Sequence, residues 1–265
     1  MTEQPLNFVD LAAAASLLVI NGVLSWAFRL GLERSIAIAA VRMMAQLGAV
    51  GFVLKIAFEQ GSPALTTLLA AVMILMAGLE VATRQEGGAP YWATYGIGTA
   101  TLFFVGIIAT LYTLRAIIRP EPWFSARYVL PILGMILGNA LTAVALVLNT
   151  LVQTVSRERT AIEARIALGA TRFDAMSTAL SGAVRTGLIP VLNSMAATGV
   201  VSLPGMMTGQ ILAGAEPTEA AKYQIIIMFV LSGASALAAT LSAIFGVYLL
   251  TDTRHRLRLD RLRHS

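Results

Sequence analysis

The chain has 265 residues, of which 57% are apolar and 12% are charged, and its mean hydropathy is +0.76. Soluble domains carry about a quarter charged residues, so this composition excludes an ordinary soluble protein. The absence of cysteine excludes disulfides, thiolate metal sites and thiol chemistry. We attribute the net charge of +5 to the excess of basic residues that membrane proteins carry on their cytoplasmic side. We therefore expect no nucleic-acid partner.

Apolar runs of about 20 residues recur along the sequence, and each is long enough to cross about 30 Å of hydrocarbon as a helix. They predict an all-α fold, a polytopic membrane bundle of about seven transmembrane helices that forms one permease domain over residues 1–265. The predicted spans are 8–28, 35–58, 64–82, 93–114, 128–155, 187–212 and 223–250.

The distribution of charge predicts an orientation. Glu3 and Asp10 precede or begin the first span without any Lys or Arg, which favours a retained helix with its N-terminus outside. Seven spans then place the C-terminus and thirteen arginines in the cytosol, although three arginines in the loop 115–127 favour the reverse. We expect the inner membrane of a bacterial cell, with the basic tail 251–265 either against anionic lipid or solvated.

The charged segment 156–185, between the fifth and sixth spans, predicts a cytosolic helix pair. Ile162 and Ile166 are four residues apart and share one face of the first helix. Gly169 stands where a C-cap glycine belongs, and Thr171 is the N-cap of a second helix, with Asp174 completing a capping box. Such a helix either docks in a groove of a partner protein or lies on the lipid surface.

Several motifs resemble those of known transporters. The run EARIALG at 163–169 resembles the Glu-Ala-Ala…Gly coupling motif of ABC importer permeases, although the Ile-Pro step at 189–190 comes about two helical turns late. The runs LGAT at 168–171, GMILGNA at 134–140 and VSLPGMMTG at 201–209 are similar to the FetB family of iron-export permeases, also called YbbM. The run AKYQI at 221–225 and the pairs at 41–42 and 46–47 fit the same family.

The resemblance implies a membrane permease that pairs with a FetA-type cytosolic ABC ATPase and exports iron. Plant relatives of the family are linked to aluminium tolerance, so the architecture transfers more safely than the cargo. A homodimer is expected, because an ABC engine needs two permease halves. The residues expected to couple to the ATPase are Arg159, Glu163, Arg165, Leu168, Gly169, Ala170, Thr171 and Asp174.

The chain itself carries no ATPase motif. Its only lysines are Lys55 and Lys222, and no Gly-x-x-x-x-Gly-Lys-Ser/Thr loop is present to hold a phosphate. We therefore expect no enzyme activity and no cofactor in this chain, with ATP and Mg bound by the partner subunit.

Two charged residues inside the predicted spans are candidates for function. Arg42 lies about two turns into the second span and Glu80 about one turn from the end of the third. Neighbouring antiparallel helices would bring them to similar depth, where they form either a structural ion pair or a cytosolic gate.

A short motif occurs twice near the predicted outer side. Gly-Met-x-x-Gly-amide begins at Gly134 and again at Gly205, and each copy follows a proline. One interpretation is an outer vestibule in which amide oxygens and methionine sulfurs make weak metal contacts along a translocation pathway. The other is helix packing with methionine as filler. The pathway candidates are Met135, Asn139, Met206, Met207 and Gln210, and no metal ligand is assigned.

Two other classes of function stay open. A secondary transporter driven by an ion gradient would be expected to carry carboxylates at mid-membrane, whereas Asp10, Glu59 and Glu80 all lie near the ends of spans. A membrane enzyme would need a catalytic set, but both histidines lie in the C-terminal tail.

Overall fold

The computed structural model describes residues 8–85 and 89–262, so Glu3 and residues 263–265 of the tail lie outside the described part. Within it the chain is helical and holds no strand, only two isolated β-bridges. The predicted all-α class is therefore confirmed. The chain divides into two compact units, one ending at Gln60 and the other beginning at Gly61.

The first unit is a pair of helices, α1 (Phe8–Ala27) and α2 (Glu33–Gln60). The turn between them is organised by Ser25, whose side chain is buried. Its hydroxyl accepts the backbone N–H of Leu32 at 2.9 Å and donates to the Glu33 carboxylate at 3.1 Å. Because most other side chains of the pair are apolar and exposed, this unit has the surface of a membrane hairpin.

The second unit holds eight α-helices in its described residues. They are α3 (Pro63–Thr83), α4 (Tyr91–Tyr112, extended by a π-helical turn Thr113–Ile118), α5 (Ala126–Arg157), α6 (Arg159–Ala167), α7 (Arg172–Ala175), α8 (Ser177–Ala197), α9 (Gly205–Leu212) and α10 (Pro217–Leu250).

Helix α5 is the centre of this unit, since it packs against α3, α4, α8 and α10. Two apolar clusters lie along it. The first cluster joins α3, α4, α5 and α10 around residues such as Leu102 and Ile136. The second cluster lies toward the C-terminal end of α5 and includes Val155, Ile162 and Met176, so it extends into the short helices that follow.

Glycine allows α8 to lie very close to α5. A Cβ atom built on Gly187 would come within 2.5 Å of a methyl group of Val147 and 3.0 Å of the Ala143 carbonyl oxygen. No larger residue fits there without separating the helices, and small contact residues are typical of helices that pack in membranes.

Among the described residues, five helical stretches are long and apolar enough to cross a membrane: α2, α3, α4 with its π-helical turn, α5 and α10. A shorter apolar helix covers Ala12–Ala27, within α1. These six helical stretches match six of the seven predicted spans in position. The chain is therefore a multi-pass membrane protein.

The predicted sixth span, 187–212, is wrong as a continuous helix. Helix α8 begins ten residues earlier and ends at Ala197, because Thr198 adopts extended backbone angles (φ −65°, ψ 130°). Pro204 has no backbone N–H to donate and serves as N-cap of the short helix α9. Two helices therefore replace the predicted span.

Candidate functional site

The helix-pair segment, residues 156–185, begins as a bend in one continuous path from α5. Helix α5 runs through Arg157, past the predicted start of the pair, since nothing in the sequence interrupts it. Only Glu158 departs from helical angles (φ −94°, ψ 15°), and α6 begins at the next residue. A single non-helical residue therefore joins α5 to α6.

Ile162 fixes α6 to the rest of the molecule. Its side chain is 1% exposed and lies in the second cluster, and Ile166 packs at the edge of that cluster. The predicted shared face of Ile162 and Ile166 is thus the buried face. Full burial of one such side chain stabilises a fold by about 1.5–3 kcal/mol.

The turn after α6 is a Schellman motif. Gly169 has φ +93°, and its N–H donates to the Ile166 carbonyl at 2.9 Å. The N–H of half-buried Ala170 donates to the Arg165 carbonyl at 3.1 Å. These two bonds are the pair that defines the motif, so the predicted C-cap glycine is confirmed. The turn leaves Leu168 89% exposed at the tip.

The second helix of the pair starts where the sequence predicts. Thr171 is the N-cap of α7, and its hydroxyl oxygen accepts the Asp174 N–H at 3.2 Å. The Asp174 carboxylate accepts a 2.5 Å hydrogen bond from the same hydroxyl. In a full capping box this carboxylate would take the backbone N–H of Thr171 instead.

Helices α7 and α8 follow each other almost without interruption. Met176 alone separates them, with φ −102° and ψ 8°, and its side chain is fully buried in the second cluster. Helix α8 passes through Arg185, where the pair was predicted to end, and continues to Ala197. The tip of the segment is therefore connected to two long helices, α5 on one side and α8 on the other.

The charged residues of the segment serve local roles. Arg159 and Glu163 form an exposed ion pair at 2.8 Å, four residues apart on α6. Arg165 donates to the Ala175 carbonyl at 3.2 Å and so joins α6 to α7. Leu168 is the one large apolar side chain exposed in the segment, beside the small side chains of Ala161, Ala164 and Ala167.

The C-terminal tail folds against this segment, a contact that the sequence reasoning missed. The backbone N–H and Nε of Arg172 donate to Nδ1 of His255 at 3.1 and 3.2 Å, and its Nη1 donates to the Thr251 hydroxyl at 3.3 Å. Leu257 and Leu259 pack at the edge of the second cluster. The tail is thus not merely solvated, and its predicted place near anionic lipid stays a prediction. The alternation of leucine with arginine from 257 to 259 was the available signal.

The tail is shaped by a tight turn around Asp252. Its carboxylate accepts the backbone N–H groups of Arg256 and Arg254 at 2.9 and 2.8 Å. The hydrogen bond from Arg256, together with that from Arg254 and the nearby positive charges, lowers the pKa of Asp252 below its ordinary value. The same turn places His255 at φ +60°, facing Arg172.

The predicted pathway residues lie on two helices, α5 and α9, and their side chains make different contacts. Met135 and Met206 are half-buried and pack against the first cluster, and Met207 is half-buried on α9. The amide of half-buried Asn139 donates to the Met135 carbonyl at 3.0 Å within α5. Buried Oε1 of Gln210 has no hydrogen-bond partner in the part of the chain that the structure describes.

The two Gly-Met motifs are not equivalent in structure. The first lies inside α5, where Pro131 does not interrupt the helix, and the second begins α9 after Pro204. A vestibule lined by all five candidates therefore stays a prediction.

Of the predicted gate pair Arg42 and Glu80, the structure shows a partner for Glu80, which is Arg84. Both Nε and Nη2 of Arg84 donate to the Glu80 carboxylate, each at 3.3 Å, four residues apart on one helix. Asn149 of α5 donates to the Arg84 carbonyl at 3.0 Å and so joins α5 to the end of α3. A pairing of Glu80 with Arg42, which belongs to the first unit, stays a prediction.

No metal site stands out by its ligands. Across residues 8–85 and 89–262, no three His, Cys, Asp or Glu side chains come together in a group that could hold a metal ion.

Comparison with known proteins places the whole chain in one family. Residues 8–250 match the family described as "Uncharacterised protein family (UPF0014)". The chain is 35% identical to the "Probable iron export permease protein FetB" of Escherichia coli over 263 residues, 99% of each chain. It is 32% identical over 240 residues to "UPF0014 membrane protein YjkA" of Bacillus subtilis, covering 90% of this chain and 93% of that one.

A plant protein matches over a similar length. The chain is 32% identical over 247 residues to "Protein ALUMINUM SENSITIVE 3" of Arabidopsis thaliana, covering 92% of this chain and 85% of that one. No solved structure matches the chain. The resemblance to the FetB family that the motifs indicated is confirmed.

Proposed function

This chain belongs to the UPF0014 family, and we propose that it is the permease subunit of an ABC transporter, driven by a separate cytosolic ATPase. The cargo we propose is iron or another metal ion, exported across the inner membrane of a bacterial cell, because a full-length relative is named a probable iron export permease. Two copies form the transport unit, with the N-terminus outside and the C-terminus inside. ATP and Mg are bound by the partner.

The single observation that carries this proposal is the construction of the tip at Leu168. A leucine that is 89% exposed, held on a Schellman turn between two packed helices, is suited to insert into an apolar groove of a partner. A helix lying on lipid would need a broad apolar face, whereas the apolar face of α6 is already buried through Ile162.

The connections of the segment supply the mechanism. A displacement of the tip moves α6 and, through the bend at Glu158, the long helix α5. It also moves α8, because only Met176 separates α7 from α8 and its side chain is fixed in the second cluster. Since packed helices move as rigid bodies, nucleotide-driven closure of the partner would reorient α5 and α8 together.

The direct test is reconstitution. The chain is expressed with a candidate ABC ATPase, and the complex is isolated and placed in proteoliposomes with Fe(II), Cu(I), Zn(II) or Al(III) in turn. We expect co-purification, ATPase activity stimulated by the transported metal, and no transport when the ATPase carries an inactivating substitution.

A matched pair of variants locates the contact. Leu168→Asp places a charge at the tip and should abolish co-purification, whereas Thr253→Asp places the same charge at an exposed position in the tail and should preserve it. Equal binding by the two variants would overturn the assignment of the tip. Transport by the chain alone, abolished by collapse of an ion gradient, would favour a secondary transporter instead.

A further inference from the structure

A groove opens between α3 and α4 on the surface of the second unit. Its volume is about 370 Å³, within the range of pockets that hold small ligands. Its floor includes Ile74 of α3 and Leu133 of α5, which are both buried. The exposed side chains of Phe103 and Leu111 on α4 line it, and so does Trp123. Three helices and the loop from α4 to α5 therefore form the groove.

The spacing of α3 and α4 explains why the groove exists. The two helices touch where a Cβ atom built on Gly78 would overlap the Thr99 hydroxyl. A Cβ atom on Gly98 would likewise come within 3.0 Å of the Val81 side chain. The groove reaches Thr67, which lies eleven residues from Gly78 along α3, or about 16 Å. No glycine lines the groove, so the helices cannot approach each other as closely there.

The walls of the groove fit a hydrocarbon chain. The hydroxyls of Thr66 and Thr67 donate to the carbonyls of Ser62 and Pro63 at 3.1 and 2.9 Å, so they are satisfied without a polar ligand. Both α3 and α4 are long and apolar enough to cross a membrane, and the groove opens on their exposed apolar surface. An acyl chain of the surrounding bilayer is therefore the occupant at hand.

Aromatic and basic residues at one end of the groove mark the level of the lipid head groups. Tyr112, Trp123 and Tyr128 are exposed there, and exposed tyrosine and tryptophan concentrate at membrane–water interfaces. The segment 115–127 between them holds three arginines and one glutamate. Phe103 lies about 12 Å deeper than Leu111 along α4, so the groove runs from a basic interface into hydrocarbon.

Arg115 is the charge best placed to bind a head group. It comes four residues after Leu111, and its guanidinium carbon lies 4.3 Å from the centroid of the Trp123 ring, beside the groove. In the part of the chain that the structure describes, Arg115 makes no ion pair and no side-chain hydrogen bond. Arg119, in contrast, uses its Nε to bind the Ala116 carbonyl at 3.2 Å, at the end of the helix.

We propose that this groove binds one anionic phospholipid, with an acyl chain between α3 and α4 and the phosphate held by Arg115. A guanidinium can bind two phosphate oxygens through parallel hydrogen bonds, and its charge favours an anionic head group over a zwitterionic one. The site also gives a role to the positive charge of segment 115–127. The positive-inside rule disfavours that charge on the outer side, where the proposed orientation places it.

Native mass spectrometry of the purified full chain in a mild detergent tests the proposal. The protein is titrated with phosphatidylglycerol or with phosphatidylcholine that carries identical acyl chains, and the fraction of protein with one bound lipid is measured. Diffuse attraction to a basic surface is worth about fivefold in affinity per arginine, whereas a direct hydrogen bond to a charged group is worth about tenfold or more. We therefore expect phosphatidylglycerol to bind at least about tenfold more tightly than phosphatidylcholine. Equal affinities would overturn the proposal.

Two arginine variants separate a bound head group from diffuse attraction. Arg115→Gln should weaken the binding of phosphatidylglycerol by at least about tenfold and remove the preference over phosphatidylcholine. Arg119→Gln is the matched control, because it removes the same charge from the same loop and should weaken binding by at most about fivefold. Equal losses in the two variants would overturn the assignment of the phosphate to Arg115.

A second pair of variants tests the groove itself. Ala71→Phe places a ring in the groove and should lower the bound fraction of phosphatidylglycerol, since the ring takes the space of the chain. Val72→Phe adds the same ring at the next exposed position, which does not line the groove, and should bind as the natural chain does. Unchanged binding in Ala71→Phe would overturn the proposal, as would competition by glycerol phosphate, which carries the phosphate without chains.

Size-exclusion profiles confirm that each variant folds. Phosphatidylglycerol should raise the thermal midpoint of the natural chain and of Val72→Phe, because a ligand stabilises the state that binds it, and should not raise that of Arg115→Gln. If Ala71→Phe does not fold, the pair of arginine variants decides the proposal. Neither an ATPase nor a cargo enters these measurements, so their outcome is independent of the proposed transport function.

Discussion

The side chain and backbone of Arg172 both donate to one atom of His255, its Nδ1, at 3.2 and 3.1 Å. These residues are 83 positions apart, and their contact links the first residue of α7 to the tail that follows α10. The guanidinium also lies over the ring of Tyr248, 5.0 Å from its centroid, near the end of α10. Arg172 therefore connects the helix-pair segment to a third long helix besides α5 and α8.

Removal of the imidazole should release the tail. His255→Ala takes away the acceptor for both donors of Arg172, and we expect a local loss of about 1–2 kcal/mol. Hydrogen exchange in detergent should then become about tenfold faster at the amides of Asp252 and Arg258, which close the tail turn. Arg254→Ala is the control, because the exposed Arg254 contributes its backbone N–H to that turn. Unchanged exchange in His255→Ala would show that the leucines and the Arg172–Thr251 hydrogen bond suffice to hold the tail.

The glycine of the Schellman turn should be needed for coupling more than for insertion. Gly169→Val forces a β-branched residue into the left-handed region, which costs at least about 1–2 kcal/mol and distorts the tip. We expect the variant to reach the membrane and the partner ATPase to remain active while metal transport per ATP falls. Gly169→Asn is the matched control, since asparagine tolerates this conformation. An unchanged ratio of transport to ATP hydrolysis in Gly169→Val would contradict the assigned role of the turn.

Local rules sufficed to predict the helix-pair segment. Gly169, Thr171 and Asp174 each act through neighbours within a few residues, so their spacing in the sequence already contains the geometry. The apolar pattern likewise located five long membrane helices. The boundary of α8 could not be predicted in the same way, because polar residues in its first half, such as Ser181 and Arg185, weaken the hydropathy signal by which membrane spans are recognised.

Long-range contacts account for the remaining differences. No local pattern pairs Arg172 with His255, and nothing in the motif around Gly134 indicates that it lies in an unbroken helix while its counterpart at Gly205 begins a new one. Tertiary packing decides both. The face of α8 that packs against α5 is likewise set by a long-range contact, the close approach at Gly187.

Substitution of Ile162 should lower stability, whereas substitution of Leu168 should weaken partner binding alone. Ile162→Ala removes a fully buried side chain from the second cluster and should lower the free energy of unfolding by about 2–5 kcal/mol. Leu168→Ala removes an exposed side chain and should leave the thermal midpoint of the purified chain unchanged while weakening capture of the ATPase. Thermal unfolding in detergent and a pull-down with the ATPase measure the two effects. A large loss of stability in Leu168→Ala would show that the tip packs within the chain.

Acid should open the tail turn at Asp252. Hydrogen bonds from the Arg256 and Arg254 backbone and nearby arginine charges lower the pKa of this carboxyl in the folded chain. The ionised form is thus favoured by folding, so the stabilisation is present above the unfolded pKa, near 3.8, and is lost as pH falls through the lower folded value. Hydrogen exchange of the Arg256 and Arg254 amides should accelerate over that interval more than pH alone predicts. Asp252→Asn cannot titrate and should abolish the extra acceleration. Its persistence in that variant would assign the acid response to another group.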